Sequence, residues 1–241
     1  MRYHKQCLLF TFILLMANVS FSQSGYMDNA LNYSRLIITK TPEGYYKLVG
    51  PFKVIGTSYL YGEKNKGDLF SSDAKAWNLH LSYNTYNQEV EFYSVNNPDK
   101  PLVKEVGTVD SFILHENAEI GITKPLKFVF GSLIGSKEKY YFQEVCTGSR
   151  FKLYKRYRSE LTYVTTNYIQ SELRQFDLEY EYFYTDTASN LVKKIKPNSV
   201  SVIKEFKNTR DVSSVATLDA FVANPEDAFC KVFDLLNQGS K

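Results

Sequence analysis

Histidine and cysteine are scarce in this chain, three of each among 241 residues, and one of each lies within the first 22. That scarcity narrows the chemistry. His80 and His115 stand in no H-E-x-x-H pattern and neither has a second histidine beside it, so a zinc site would have to be assembled from distant residues. By strand alternation His80 falls on a solvated face, and His115 ends a strand just before the Glu116-Asn117 turn. Both read as surface residues. The glycine-bearing fingerprints are missing too: no G-x-S-x-G elbow, no G-x-x-x-x-G-K-[ST] phosphate loop and no G-x-G-x-x-G turn. The glycines of GSLIG, Gly131 and Gly135, read as a turn. No metal and no cofactor is expected.

Long apolar runs are lacking except at the start, where the first 22 residues divide as a secretory leader does. Arg2, His4 and Lys5 make a positive n-region, Cys7 to Phe21 an apolar core, and Ser20 and Ser22 the small residues that a signal peptidase reads. The expected cut follows Ser22 and leaves Gln23 at the new N-terminus. The core is about 15 residues long, short of the ~20 that a spanning helix needs. Cys7 precedes the apolar run, which argues against a lipid-anchored cut site. The expectation is an exported chain, periplasmic or extracellular, with no transmembrane segment after cleavage.

An excess of positive charge is also lacking. Removing Arg2 and Lys5 leaves 27 basic against 26 acidic residues. A near-neutral chain has no electrostatic grip on nucleic acid, which rewards dense positive charge. Of the two cysteines left, export makes a Cys146–Cys230 disulfide chemically accessible. Two buried free thiols are the expected state, because a domain of this size does not need a staple. With Arg150 and Lys152 near Cys146 but no histidine, a catalytic thiol is not expected.

What is abundant is tyrosine and phenylalanine, 19 and 17, which favour pleated, half-buried surfaces. After an irregular segment over 23–34, period-two stretches punctuated by turns run from 35 to 196. In Trp77 to Ser94, Trp77, Leu79, Leu81 and Tyr83 share one face and Asn78, His80 and Ser82 the other. Asn84 to Asn87 turns the chain, and Val90 and Phe92 resume the apolar face against Glu89 and Glu91. A second hairpin joins Lys139–Val145 to Arg150–Tyr157, with Gly148 supplying the positive φ of its connection. In Phe176 to Tyr184, Phe176, Leu178, Tyr180, Tyr182 and Tyr184 oppose Asp177, Glu179 and Glu181.

Over 197–238 the period becomes helical. Val202, Ile203 and Phe206 share a face, and Asp211 is placed to cap a second helix carrying Val215, Leu218 and Val222. Asn224-Pro225-Glu226-Asp227 starts a third, striped by Phe229, Val232, Phe233 and Leu236, with Gly239 as its stop. The expected fold is mainly β (α+β): an antiparallel meander, barrel- or sandwich-like, with two or three short C-terminal helices packed on it as an appendage of the same domain.

Charged clusters are the remaining candidates for chemistry. Glu89/Glu91 and Glu179/Glu181 are same-face pairs about 7 Å apart, a spacing compatible with glycoside hydrolysis, though solvated strands carry such pairs routinely. Arg150, Lys152, Lys155, Arg156 and Arg158, interleaved with Tyr154 and Tyr157, form the densest basic stretch. They read either as a patch for an anionic ligand or partner, or as a charged face that guards a sheet edge.

FKVIGTSYLYGE (Phe52 to Glu63), GDLF (Gly67 to Phe70) and LHLSYNTYNQEVEF (Leu79 to Phe92) resemble a group of exported β-rich proteins of Bacteroidota. So do YYFQEVCTGSRFKLYKRY (Tyr140 to Tyr157) and EYFYTDTASNLVKKIKPNSVSVIKEF (Glu181 to Phe206). Gln88 departs from the resemblance, standing where that group tends to have an acid. The resemblance implies export and a β-first, helix-last order; it implies no activity and no site residues. Together these readings favour a non-catalytic binding or scaffolding module that meets an envelope protein. A small-ligand binder for lipid or sugar is the alternative, and a carboxylate-based hydrolase the weaker one.

Overall fold

A computed structural model describes residues 32–33, 37–40, 46–49, 53–94, 97–104, 106–164, 173–189 and 191–238. The chain divides into two compact units, one of residues 1–55 with 164–174 and the other of 56–163 with 175–241. In the smaller unit β1 (Asn32–Tyr33) pairs antiparallel with β4 (Lys53–Ile55), and β2 (Ile37–Lys40) with β3 (Tyr46–Val49). β1 lies inside the segment expected to be irregular. The leader, its cut site after Ser22 and Gly239 fall outside the described residues.

The larger unit is built on one antiparallel sheet that does not close. Its strands are β5 (Tyr59–Phe70), β6 (Lys75–Asn84), β7 (Glu89–Ser94), β8 (Asn97–Val103), β9 (Ser111–Leu114), β10 (Leu126–Phe130), β11 (Tyr141–Cys146), β12 (Phe151–Tyr163), β13 (Leu173–Asp186) and β14 (Leu191–Ile195). They run in the order β13-β12-β11-β10-β9-β5-β6-β7-β8, with β14 also on β13. Two meanders therefore meet where β9 lies against β5.

The sheet curls until the β6–β7 turn reaches β12. Ser159 N–H donates to the Thr85 carbonyl at 3.1 Å, and the two hydroxyls lie 2.6 Å apart. Gln88 makes this join work. Its amide nitrogen donates to the carbonyls of Thr85 (2.6 Å) and Tyr157 (3.1 Å), while its Oε1 accepts from the Tyr83 hydroxyl. An ionised carboxylate at 88 has no proton to donate.

The curl encloses one aromatic core. Phe112 and Phe128 stack at 4.6 Å with Tyr83 and Tyr141 against them, all fully buried beside Leu81, Leu114 and Ile122. Each ring fills volume that would otherwise be a void, and interiors pack at crystal density.

Further along β11 and β12 the same sheet face carries a second core, under the helices α1 (Ser199–Phe206), α2 (Leu218–Ala223) and α3 (Pro225–Asn237). A bulge between Glu144 and Cys146 keeps Cys146 opposite Leu153, on the face that Tyr141 and Gln143 also occupy. Cys146 is there bonded to Cys230 of α3, with Cα atoms 5.5 Å apart. The expectation of free thiols is corrected: packing α3 on this face of the sheet brings half-buried Cys230 within bonding distance of buried Cys146.

The striped helix forms as expected, with Asn224 capping, Pro225 in the first turn and Phe229, Val232, Phe233 and Leu236 buried. α2 differs: Thr217 rather than Asp211 caps it, Phe221 is its buried residue, and Leu218 and Val222 are exposed. With only six residues, α2 turns one side chain to the core.

Gly148 also departs from expectation. A Cβ there would stand 2.0 Å from the Asn237 amide nitrogen, so the glycine answers a close approach and not a positive φ. Asn237 accepts from the N–H groups of Arg150 and Phe151 and donates to the carbonyls of Phe151 and Phe233, tying the end of α3 to the start of β12. No described helix is long and apolar enough to cross a membrane.

Candidate functional site

His80 and His115, 35 residues apart in the chain, line one cleft of about 260 Å³ together with Lys64, Asn65, Lys66, Glu116 and Asn117. Pairing explains the convergence. β5 lies between β6 and β9, so alternate residues of all three strands share the face turned away from the aromatic core. Lys66 and Asp68 of β5, His80 of β6 and His115 beyond β9 come together there.

Hydrogen bonds fix both imidazoles. The Lys64 carbonyl lies 3.1 Å from Nδ1 of His80, and a carbonyl can only accept, so Nδ1 carries the proton and Nε2 is the ring's acceptor. Nε2 of His115 lies 2.9 Å from Oδ2 of Asp68. The other Asp68 oxygen accepts the Asn78 N–H at 2.8 Å. Burial pushes the Asp68 carboxyl up, but the Asn78 N–H and the His115 ring outweigh it and hold the group below its usual range. Asp68 is thereby a charged anchor for two strands. Among the described residues no three histidine, cysteine or acidic side chains are grouped to hold a metal ion.

The backbone around the cleft is strained. Four residues, Tyr61 to Lys64, fit opposite Ser82 alone, because the β5–β6 register jumps from Leu60↔Tyr83 to Asn65↔Leu81. Tyr61 and Lys64 take φ of 58° and 59°, which side chains with a Cβ adopt at a cost. Lys64 N–H bonds to the Ser82 hydroxyl and its ammonium lies 5.0 Å from the Tyr93 ring centre, so the arch is held at its Lys64 end. A second register shift sits between Gly67 and Leu69, opposite Trp77 and Asn78, with Asn78 at φ 53°. It reverses the side that Trp77 takes. Instead of joining Leu79, Leu81 and Tyr83, the indole packs edge-on against Phe70 at 5.0 Å and is 62% exposed.

The five basic residues of the second hairpin do not form one surface. Lys155 lies on the same side of β12 as Leu153 and Tyr157, whereas Lys152, Arg156 and Arg158 lie on the other. Arg150 pairs with Asp186 at 2.9 Å, Arg156 with Glu138 and Glu181, and Arg158 with Glu160. Lys155 is enclosed: its ammonium is 2.7 Å from Glu226 of α3 and 4.2 Å from the Tyr180 ring centre, with the rings of Tyr157 and Tyr182 on its flanks. Four of the five charges are thus matched by carboxylates, which favours a structural role over an anion patch.

The carboxylate pairs fare differently from each other. Glu89 and Glu91 are only 4% and 5% exposed, not solvated. The Tyr59 hydroxyl donates to Glu91, and the arch at 61–64 lies over the same side of β6. Burial pushes the Glu91 carboxyl above its usual range, against hydrogen bonds from Tyr59 and Asn84, and the neighbouring charges of Glu89 and Glu63 push it further. Glu181 is held low: burial raises it, but Lys194 and Arg156 outweigh that. On the opposite side of β13, Leu178 and Tyr180 are half exposed, so only Tyr182 and Tyr184 of that apolar row join the core.

The cleft itself was legible only in part. His80 and His115 stand out by type, but a register shift that no residue pattern announces brings Lys64 beside them, and a second one turns Trp77 to the same face. No family model, curated protein or solved structure matches the chain.

Proposed function

We propose that the chain is exported and works beyond the inner membrane as a non-catalytic binding or scaffolding module of the cell envelope. The observation that carries the binding reading is the filled interior: stacked and edge-on rings from Tyr83, Phe112, Phe128 and Tyr141 occupy the space inside the curl. Whatever such a protein engages, it meets at the surface. The Cys146–Cys230 bond supports export, because disulfides persist in oxidising compartments. The leader over 1–22 and the resemblance to exported Bacteroidota proteins point the same way.

The small-ligand reading narrows accordingly. A cleft lined by lysine, histidine, asparagine and glutamate suits a polar ligand and offers little to a lipid chain.

Fractionation of the native host with mass spectrometry of the recovered protein tests the proposal. The expected product begins at Gln23, carries the Cys146–Cys230 bond and cross-links to envelope components. Recovery from the cytosol with the leader attached and both thiols reduced would overturn it.

A further inference from the structure

An exposed indole, a polar cleft and strained backbone lie on one face of β5. Phe70, Asp68 and Lys66 alternate along that face, so the shelf of Phe70 and Trp77 stands roughly 13 Å from Lys66 at the cleft. Asp68 sits midway and holds both halves, with one oxygen on the bulge that turns Trp77 outward and the other on His115. Strained backbone persists where the surroundings over-determine it, and such places cluster at binding sites. Phe70 supports one edge of the indole and leaves most of the ring in solvent.

The cleft adds mixed donors and acceptors. Lys66 is exposed beside Lys64 and Glu116, and Asp68 is taken up by His115, while the free imidazole nitrogens accept and Asn117 carries both a donor and an acceptor. A flat apolar platform near acceptor nitrogens and an exposed ammonium matches a sugar chain that presents C–H faces, hydroxyls and an acidic group. A span of roughly 13 Å between adjacent-face side chains suits several linked rings better than one.

We propose that this face binds an anionic oligosaccharide, one ring lying on Trp77, the acidic group of another held at Lys66, and a hydroxyl of that ring donating to Nε2 of His80. The inference rests on the binding-module reading and names its ligand class. Recognition is non-covalent, and the sugar leaves unchanged.

Trp77 is the single tryptophan of the chain, so its fluorescence reports this site alone. The test titrates the full mature protein with tetragalacturonate, a heparin tetrasaccharide and neutral cellotetraose. A saturable change in emission with either acidic sugar, weakened by added salt and absent with cellotetraose, is expected; which acidic sugar acts tells carboxylate from sulfate. Lys66→Ala, at an exposed position with little to lose in folding, weakens binding about 10-fold, the loss of one charge-assisted contact. Calorimetry on Trp77→Ala shows no binding. An unchanged spectrum with both acidic sugars, or an equal response to cellotetraose, overturns the site. Chromatography of the recovered sugar separates the two claims. Intact bound sugar supports both. Bound but cleaved sugar keeps the site and overturns the non-catalytic reading. Absence of binding in a protein that still cross-links to the envelope overturns the site alone.

Discussion

Breaking the Cys146–Cys230 bond is the perturbation whose size follows most directly from the fold. The bond joins residues 84 apart in sequence. On the chain-entropy account, cross-linking a loop of that length removes denatured-state freedom equivalent to about 4.5 kcal/mol at room temperature. Cys146 and Cys230 also sit among Phe151, Leu153 and Phe229, so the two thiols of the reduced protein still pack, and the loss is one of chain constraint. For a chain of 241 residues each kcal/mol moves the melting temperature by about 2–4 °C, which puts the reduced protein about 9–18 °C below the oxidised one. Guanidinium unfolding followed by circular dichroism, with and without reductant, measures the difference, and thiol labelling confirms the redox state. A loss below about 1 kcal/mol with both sulfurs free would refute the loop argument. Finding free thiols in protein recovered from its native host would refute the bond itself.

Other substitutions test the remaining joins. Gly148→Ala places a methyl against the Asn237 amide, whose four hydrogen bonds leave it nowhere to move, and should cost about 1–3 kcal/mol in thermal unfolding; an unchanged melting temperature would deny the close approach. Gln88→Glu keeps the shape but removes the donor for the Thr85 and Tyr157 carbonyls and buries a charge, a loss of about 2–4 kcal/mol at neutral pH. Stability like the parent's would mean that the β6–β7 turn does not depend on this amide. Glu91 gives a pH test. Its folded pKa is raised above 4.5, so the folded state holds that proton more tightly than the unfolded chain does. Its contribution is fully present below about pH 4.5 and is lost as pH rises through the raised value. Glu91→Gln should therefore gain on the parent as pH climbs out of that window, and a difference independent of pH would contradict it.

Hairpins and helix starts were legible because their signals are local. Asn84 bonds the N–H groups of Tyr86 and Asn87 in its own turn, and Asn224 bonds those of Glu226 and Asp227 at the start of α3. Period-two alternation likewise marked the apolar sides of β6 and β13. It failed where a strand is covered on both sides: Glu89 and Glu91 read as solvated because alternation tells which residues share a side, not what lies over them.

Residue order by itself therefore determined the strand-rich composition, the tight turns, the capped final helix and the row of apolar side chains that it buries. These depend on neighbours within about one turn of helix or one strand pair. Tertiary structure alone decided that Cys146 meets Cys230, that Lys155 is enclosed against Glu226 of α3, and that Trp77 turns to the same face of the sheet as His80. Each of those outcomes turns on strand register or on a long-range contact, and a register shift of one residue sends every later side chain to the other side of the sheet.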